Sequence, residues 1–435
     1  MSENQQDKKQ KRKKILYTLA ACGIAATSFL SGFFIDRLTW DQELRELARI
    51  KERMQKSYYE EITDEEFYDV VFAAVNDQLL DDYSWYMTPS EYAQSQEEAK
   101  GQQSGLGLVF NTKTSDGQDQ MLVSRVCGNS PAEAAGIMAG DKVVGFGDSE
   151  TQITDSVVFD EFSDYISNKD TGEKFYVKLQ KVNGGTAIVQ VSRENYVENY
   201  VFYRTNTESY SFTGEKASEL TQGTNALSAL ASDTAYIRLT AFNGSAALEF
   251  QSAMNLFKRQ EKTNLVLDLR GNGGGFLHIM QDIAGYFCKN ATERKPVVAI
   301  ADYGEKTTSF KAYGNYYYDY FKTESRICVL ADNGSASASE CLLGSMLDHG
   351  AIAYGDICLS ERGGVAKTYG KGIMQTTYPF LTSGGAVKLT TAKILWPKGN
   401  CIHGVGILPA NGTKTVAENY AGDSEIEAAL SALFS

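Results

Sequence analysis

Between residues 230 and 415, short apolar segments alternate with helical patterns. Two of these segments, at 265–269 (LVLDL) and Ile327–Ala331, together contain one charged side chain, which is typical of strands buried on both faces of a sheet. Helical patterns follow them at 276–287 and 341–347. The alternation predicts an α/β fold with a layered core of strands and helices.

A serine-rich turn, residues 335–340 (SASASE), links the second apolar segment to its helical pattern. A hydroxyl at such a turn lies beside free backbone N–H groups, where an oxyanion can be stabilised. The small neighbouring residues leave room for a substrate carbonyl. The same residues are equally typical of a serine N-cap, so the turn alone leaves both interpretations open.

No histidine–aspartate pair accompanies these serines as a base. Lys371 stands between Gly370 and Gly372, and burial would favour its neutral amine, which can act as a general base toward serine. Gln375, four residues later, could hydrogen-bond to that amine. By itself, a lysine between two glycines is more typical of a surface turn. The three histidines of the chain are too scattered to indicate a metal site.

Three motifs in order between residues 104 and 195 resemble a PDZ domain. They are a glycine-rich loop at 104–110 (SGLGLVF), a turn at 130–137 (SPAEAAGI) and a strand at 140–146 (GDKVVGF). The resemblance implies that Gly105, Leu106, Gly107 and Leu108 form a loop whose N–H groups hold the terminal carboxylate of a peptide. The peptide would then add as a strand to a sheet edge.

The whole order of motifs resembles the carboxyl-terminal processing proteases, which are exported serine proteases. After the PDZ-like segment come 267–272 (LDLRGN), the serine-rich turn, and 368–372 (TYGKG) with Gln375. The resemblance runs from about Asp81 to the C-terminus. It implies a crotonase/ClpP-like layered protease core with an inserted PDZ domain and a Ser-Lys catalytic dyad, without a metal or cofactor.

The resemblance assigns roles residue by residue. Ser337 matches the nucleophile, Lys371 the general base and Gln375 the residue that orients the base. The backbone N–H groups of Ala338 and Gly274 match the oxyanion hole, while the other two serines of the turn match structural positions. Two departures bear on the site: residues 359–367 look inserted before Lys371, and a glycine stands in the oxyanion loop where the family usually has proline.

The N-terminus predicts export across a membrane. Residues 1–14 carry a net charge of +4, and the uncharged run at 15–35 would span roughly 31 Å as a helix, enough for the hydrocarbon core. The basic flank predicts a cytoplasmic N-terminus and an extracytoplasmic remainder, in a bacterial cell membrane. Cleavage at a lipoprotein-like Cys22 is the alternative, but the apolar run continues beyond it, which favours an uncleaved signal anchor.

The remaining chain has a net charge of −17, which opposes binding to nucleic acid. Its cysteines show no metal-like spacing, and a disulfide among them stays open. The predicted organisation is a cytoplasmic basic tail (1–14), a transmembrane signal anchor (15–35), a helical N-terminal region (36–103), a PDZ domain (104–200) and a protease core with a C-terminal helix (201–435).

The sequence therefore predicts a membrane-anchored endopeptidase that cleaves exported proteins near their C-termini. Its partners would be unstructured C-terminal tails, and the N- and C-terminal helices resemble regions that form a homodimer in relatives. The alternative is a catalytically inactive, PDZ-based scaffold that binds tails at the membrane. The apparent insertion at 359–367 is the feature that most favours this alternative.

Overall fold

The computed structural model describes residues 41–113, 119–155, 158–213, 217, 219–420 and 423–434. The predicted basic tail and signal anchor lie outside the described residues. Within the described ranges, no helix is long and apolar enough to cross a membrane. The chain divides after Leu80 into two compact units, which are described separately.

The first unit contains two helices, α1 (Gln42–Ser57) and α2 (Asp64–Leu79). Helix α2 begins with a capping box, because Thr63 Oγ1 accepts from the N–H of Glu66 and the Glu66 carboxylate accepts from the N–H of Thr63. Lys51 Nζ lies 3.0 Å from Asp64 Oδ1, so an ion pair joins the two helices. Neither helix has a buried residue.

The second unit opens with the short strand β1 (Trp85–Met87), helix α3 (Pro89–Ala99) and strand β2 (Gln102–Gly105). A capping box of Thr88 and Glu91, with proline at the first helical position, explains where α3 begins. Strand β2 pairs with the later strand β9 (Glu194–Val197) in a two-stranded ribbon.

A small antiparallel sheet follows, with its own apolar core. Its elements are β3 (Leu108–Lys113), β4 (Asp119–Val126), α4 (Pro131–Ala134), β5 (Lys142–Ser149), β6 (Gln152–Thr154), α5 (Phe159–Ser167), β7 (Lys174–Gln180) and β8 (Thr186–Ser192). The main strands lie in the order β3, β4, β5, β7, β8, so β3 is an edge strand. Phe162 of α5 packs beside Phe110 of β3, which places the helix next to that edge.

The rest of the unit contains β9, which pairs with β2, and two further sheets with their helices. The strands are β9 (Glu194–Val197), β10 (Val201–Arg204), β11 (Ser209–Thr213), β12 (Glu219–Gly223), β13 (Thr234–Leu239), β14 (Asn264–Asp268), β15 (Val297–Asp302), β16 (Thr307–Lys311), β17 (Ile327–Ala331), β18 (Ile357–Glu361), β19 (Ile373–Pro379), β20 (Ala386–Leu395) and β21 (Lys414–Ala417). The helices are α6 (Ala246–Arg259), α7 (Leu277–Ala284), α8 (Tyr317–Tyr320), α9 (Ala338–Asp348) and α10 (Ser424–Phe434).

The central sheet has eight strands in the order β12, β11, β10, β13, β14, β17, β18, β21. Strands β13, β14, β17, β18 and β21 run parallel, so their carboxyl ends meet at one edge. Alternate side chains face opposite layers: Leu265 and Leu267 join the core that includes α6, α7 and α9, whereas Val266 joins the core under α10. This confirms the predicted α/β class and the two apolar strands.

The other sheet is antiparallel and has five strands. The long strand β20 pairs with β1, β15 and β19, and β16 completes the sheet beyond β15. This sheet matters for the site because it holds the segment after Lys371 in β19. The six cysteines of the described ranges are all free, five of them buried.

Candidate active site

Ser337 lies at the carboxyl edge of the central sheet, on the turn between β17 and α9. It is the residue that precedes helix α9, and its backbone has φ 57° and ψ −115°. Positive φ is unfavourable for a non-glycine residue and is held only where the surroundings enforce it. The side chain is partly buried, and no residue that the structure describes accepts a hydrogen bond from its hydroxyl.

The two neighbouring serines hold this turn against the loop that follows β14. Ser335 Oγ donates to the carbonyl of Leu269 at 2.8 Å, and Ser339 Oγ donates to the carbonyl of Asn272 at 2.8 Å. Both side chains are fully buried. Their positions explain why only Ser337 of the three has a hydroxyl available for chemistry.

Gly274 of that loop lies directly against the serine turn. A Cβ at position 274 would be 2.8 Å from Ser337 Cβ and 2.9 Å from the backbone nitrogen of Ala338, so the close approach requires glycine. The N–H of Gly274 donates to Asn272 Oδ1 at 2.9 Å. The N–H of Ala338 has no acceptor among the described residues. Of the two predicted oxyanion donors, only Ala338 therefore has a free N–H.

Lys371 lies on the loop between β18 and β19, with its backbone packed against the segment 401–406. A Cβ at Gly370 would be 3.0 Å from the nitrogen of Gly406, and a Cβ at Gly372 would be 2.8 Å from that of His403. The Lys371 ammonium lies 4.2 Å from the centroid of the Tyr83 ring. No hydrogen bond joins Lys371 Nζ to Ser337 Oγ within the described part of the chain.

The surroundings of Lys371 lower its pKa. Burial is the main cause, because it disfavours the ammonium, and the positive charge of Lys388 adds to it. The carboxylate of Asp81 opposes both effects. The direction is the one that a lysine general base needs, since the neutral amine must be available near neutral pH.

Glu340 joins the serine and the lysine segments, and the sequence analysis gave it no role. Its buried carboxylate accepts from Thr368 Oγ1 at 2.6 Å and from the backbone N–H groups of Gly370 at 2.8 Å, Lys371 at 2.9 Å and Ser337 at 3.1 Å. Burial raises the pKa of Glu340, and the four donors oppose that shift. The signal in the sequence was the S-x-x-E spacing from Ser337, which is the spacing of a capping box.

Comparison with known proteins identifies a family that resembles the segment carrying this site. Residues 233–411, which carry Ser337, Glu340 and Lys371, match peptidase family S41. The chain is therefore similar to peptidase family S41 over this segment. The predicted resemblance to carboxyl-terminal processing proteases is thereby confirmed.

Three named relatives show how far the similarity extends along the chain. It is 27% identical to a probable CtpA-like serine protease of Staphylococcus epidermidis over 84% of this chain and 64% of the relative. It is 24% identical to the carboxy-terminal processing protease CtpB of Bacillus subtilis over 90% of this chain and 72% of the relative. A C-terminal processing peptidase of Tetradesmus obliquus is 28% identical over 76% of this chain and 65% of the relative. The chain thus spans less than two thirds of the first and third of these relatives.

A similar fold is found in a solved structure. The photosystem II D1 C-terminal processing protease superposes with a TM-score of 0.50 at 23% identity, covering 84% of this chain and 85% of the other. This similarity supports the mixed α/β fold of the chain.

Gln375 does not contact the Lys371 amine as the sequence suggested. Its side-chain amide donates to Thr390 Oγ1 at 3.0 Å, and Thr390 Oγ1 lies 3.2 Å from Asp81 Oδ1. Asp81 in turn acts electrostatically on Lys371. Gln375 is therefore linked to the lysine through Thr390 and Asp81. The orienting role predicted for Gln375 is therefore not seen as a direct hydrogen bond.

The segment 359–367, which looked inserted, is partly core structure. Leu359 and Ser360 are buried in β18, which ends at Glu361 and pairs with β17 and β21. Only the turn after Glu361 lies outside the sheet. The first three residues of the segment that looks inserted therefore belong to a strand of the central sheet.

The predicted carboxylate loop lies where β2 passes into the edge strand β3. Leu106 is buried, and a Cβ at Gly107 would be 2.2 Å from Ser130 Cβ, so the loop is closely packed. The carbonyls of Leu106 and Gly107 accept from Ala132 and Cys127, whereas the N–H groups of Leu106 and Gly107 have no acceptor among the described residues. Such adjacent free N–H groups can bind an anion.

Proposed function

We propose that this chain is a serine endopeptidase that cleaves exported proteins near their C-termini, with Ser337 as nucleophile and Lys371 as general base. The observation that carries the proposal is Glu340, whose carboxylate binds the backbone N–H groups of both residues. A single buried group thereby fixes two chain segments that are 34 positions apart in sequence. The names of the relatives, which describe carboxyl-terminal processing, support the substrate class.

The proposed reaction begins when the neutral Lys371 amine takes the proton of Ser337 Oγ as the oxygen attacks the scissile carbonyl. The N–H of Ala338 stabilises the oxyanion that forms, and the Gly274 loop lies within van der Waals distance of the same turn. Lys371 returns the proton to the leaving amine as the C–N bond breaks. Water then hydrolyses the acyl-enzyme, with Lys371 again as the base.

This reaction requires the Lys371 side chain to change its position. Its ammonium lies over the Tyr83 ring, and a cation held over an aromatic face is stabilised by roughly 0.5–2 kcal/mol. A rotation of the lysine side chain that brings Nζ to Ser337 Oγ must overcome an energy of this size. Catalytic hydrogen bonds are often formed only once substrate is bound.

The small sheet supports recognition of a free peptide terminus, as in a PDZ domain. The free N–H groups of Leu106 and Gly107 would receive the carboxylate, with Gly105 and Leu108 as the ends of the loop. The peptide would extend along the edge strand β3, beside α5, where Phe110 and Phe159 supply apolar contacts. Residues 15–35 would anchor the enzyme, so that cleavage takes place outside the cytoplasm.

A fluorophosphonate probe tests the nucleophile. We expect covalent labelling at Ser337, abolished in Ser337→Ala and retained in Ser309→Ala, an exposed serine of β16. Mass spectrometry of the labelled peptide identifies the site. Binding of tail peptides without labelling would instead identify the chain as a non-catalytic scaffold, for which the position of Lys371 over Tyr83 would be the structural reason.

Tail recognition predicts a difference between two peptides of the same sequence. A hydrophobic hexapeptide with a free C-terminal carboxylate should accelerate cleavage of an unfolded protein, whereas its C-terminal amide should not, because only the carboxylate can accept from the N–H groups of Leu106 and Gly107. Initial rates at matched peptide concentrations measure the effect. Equal rates with the two peptides would contradict the role of this loop.

A further inference from the structure

A polar cavity of about 760 Å³ lies between the small sheet and the central sheet, apart from Ser337 and Lys371. Four arginines line it: Arg204, Arg238, Arg270 and Arg362. Tyr236 and Tyr420 contribute to the same walls. The volume lies in the range of small-molecule binding sites, so the cavity is large enough for a small organic ion or a peptide end.

Three of these arginines are neutralised by carboxylates of the protein. Arg204 binds Asp423 through both terminal nitrogens, at 2.8 and 2.6 Å. Arg270 Nη2 lies 2.6 Å from Asp268 Oδ2, and its Nη1 lies 2.5 Å from Glu425 Oε1. Arg362 Nε lies 2.8 Å from Asp332 Oδ2.

Arg238 is different, since it forms no ion pair or hydrogen bond with any residue that the structure describes. Its Nε is buried and lacks an acceptor. The lining carboxylates are already engaged: Asp423 by Arg204, Glu425 by Arg270, and Glu133 by the N–H of Asn129. The residue as a whole is half-buried, but its buried Nε–H lacks an acceptor, which is costly, and a bound anion would supply that acceptor.

The position of Arg238 also connects the cavity to the peptidase site. Arg238 faces Asp268 across the pair β13 and β14. Burial would raise the pKa of Asp268, but Arg270 and, more weakly, Arg238 together lower it. Arg270 in turn begins the loop that places Gly274 against Ser337. A ligand on Arg238 therefore acts next to the residues that anchor this loop.

We propose that this cavity is a binding site for an oxyanion, a carboxylate or phosphate group, whose charge is received by Arg238. The rest of the ligand would contact the hydroxyls and rings of Tyr236 and Tyr420. This site is separate from the carboxylate loop at 105–108, which the proposed peptidase function uses. The guanidinium fork suits the two oxygens of either group.

Binding to the full chain with Ser337→Ala, which prevents turnover, tests the proposal. The probes are inorganic phosphate, acetate, and one hexapeptide with a free or an amidated C-terminus, each measured by calorimetry and thermal unfolding. We expect at least one oxyanion to bind with a dissociation constant about tenfold or more lower than in Arg238→Gln. Phosphate or acetate binding would indicate a free anion, and binding of only the free-carboxylate peptide would indicate a chain terminus.

Two controls separate this site from general electrostatics and from misfolding. Arg294→Gln, an exposed arginine, makes the same change in net charge and should leave all binding unchanged. Without ligand, Arg238→Gln should unfold near the temperature of its parent, because Arg238 is half-buried and forms no ion pair or hydrogen bond with the described residues. The proposal is overturned if no probe binds, or if every probe binds Arg238→Gln and its parent equally, and neither result depends on peptidase activity.

Discussion

Replacement of Glu340 by glutamine is expected to reduce cleavage about 100-fold and to destabilise the fold by about 2–4 kcal/mol. The carboxylate accepts four hydrogen bonds, and glutamine replaces one of its oxygens with an NH₂ group that faces donors. Each buried donor left without an acceptor costs roughly 1–3 kcal/mol. The loss of these hydrogen bonds would displace Ser337 and Lys371 relative to each other. This displacement explains the expected reduction in the cleavage rate, since an error of about 1 Å in the position of a catalytic group can reduce a rate about 10²-fold.

Glu249 provides a matched control for Glu340→Gln. It is also a buried glutamate at the start of a helix, and it accepts from the N–H groups of Tyr200 and Val201 and from Ser245 Oγ. Glu249→Gln should lose a similar free energy of unfolding in denaturant titrations but retain its rate of cleavage well below the unfolding temperature. If both variants keep the parent rate, Glu340 has only a structural role and does not position the two catalytic segments.

Replacement of Lys371 is expected to cause the largest loss of activity, about 10³-fold or more for Lys371→Ala, as for the removal of a general acid–base group. Lys371→Arg should be as inactive, because arginine keeps the charge but cannot be deprotonated in a protein. Both variants should unfold near the parent temperature, since the side chain makes no hydrogen bond among the described residues. Single-turnover cleavage of an unfolded protein measures the effect.

The same lysine predicts a pH profile whose direction can be checked. The rate should rise with pH through the pKa of Lys371, which burial and Lys388 hold below its ordinary value. Lys388→Gln removes a positive charge that disfavours the Lys371 ammonium, so it should raise the pKa of Lys371 and move the profile to higher pH. Lys393→Gln, at an exposed position of the same strand, should leave the profile in place. A profile that moves equally in both variants, or an active Lys371→Arg, would exclude Lys371 as the base.

The sequence predicted the parts of the fold that have a strong local pattern. The apolar runs of β14 and β17 indicated strands, because this property lies in the side chains themselves. It did not reveal the small strand β18, whose five residues include Ser360 and Glu361. A short strand with polar side chains resembles a loop until its partners are known.

The site could be predicted only as a set of residues. Motif order selected Ser337 and Lys371, but the role of Glu340 depends on contacts with Gly370 and Lys371, some 30 positions away. The Gln375 amide bonds to Thr390 rather than to the lysine for a similar reason, since both lie on paired strands, β19 and β20. Spacing along a chain does not fix which polar groups meet across a sheet.

The backbone of Ser337 has a consequence for efforts to make this protein more durable. A serine held at positive φ costs the folded state roughly 1–3 kcal/mol, a penalty that glycine would avoid. A laboratory selection for thermal stability alone would therefore favour glycine at position 337. The selected protein would be more stable but would lack its nucleophile. At this position, durability and reactivity are in direct conflict.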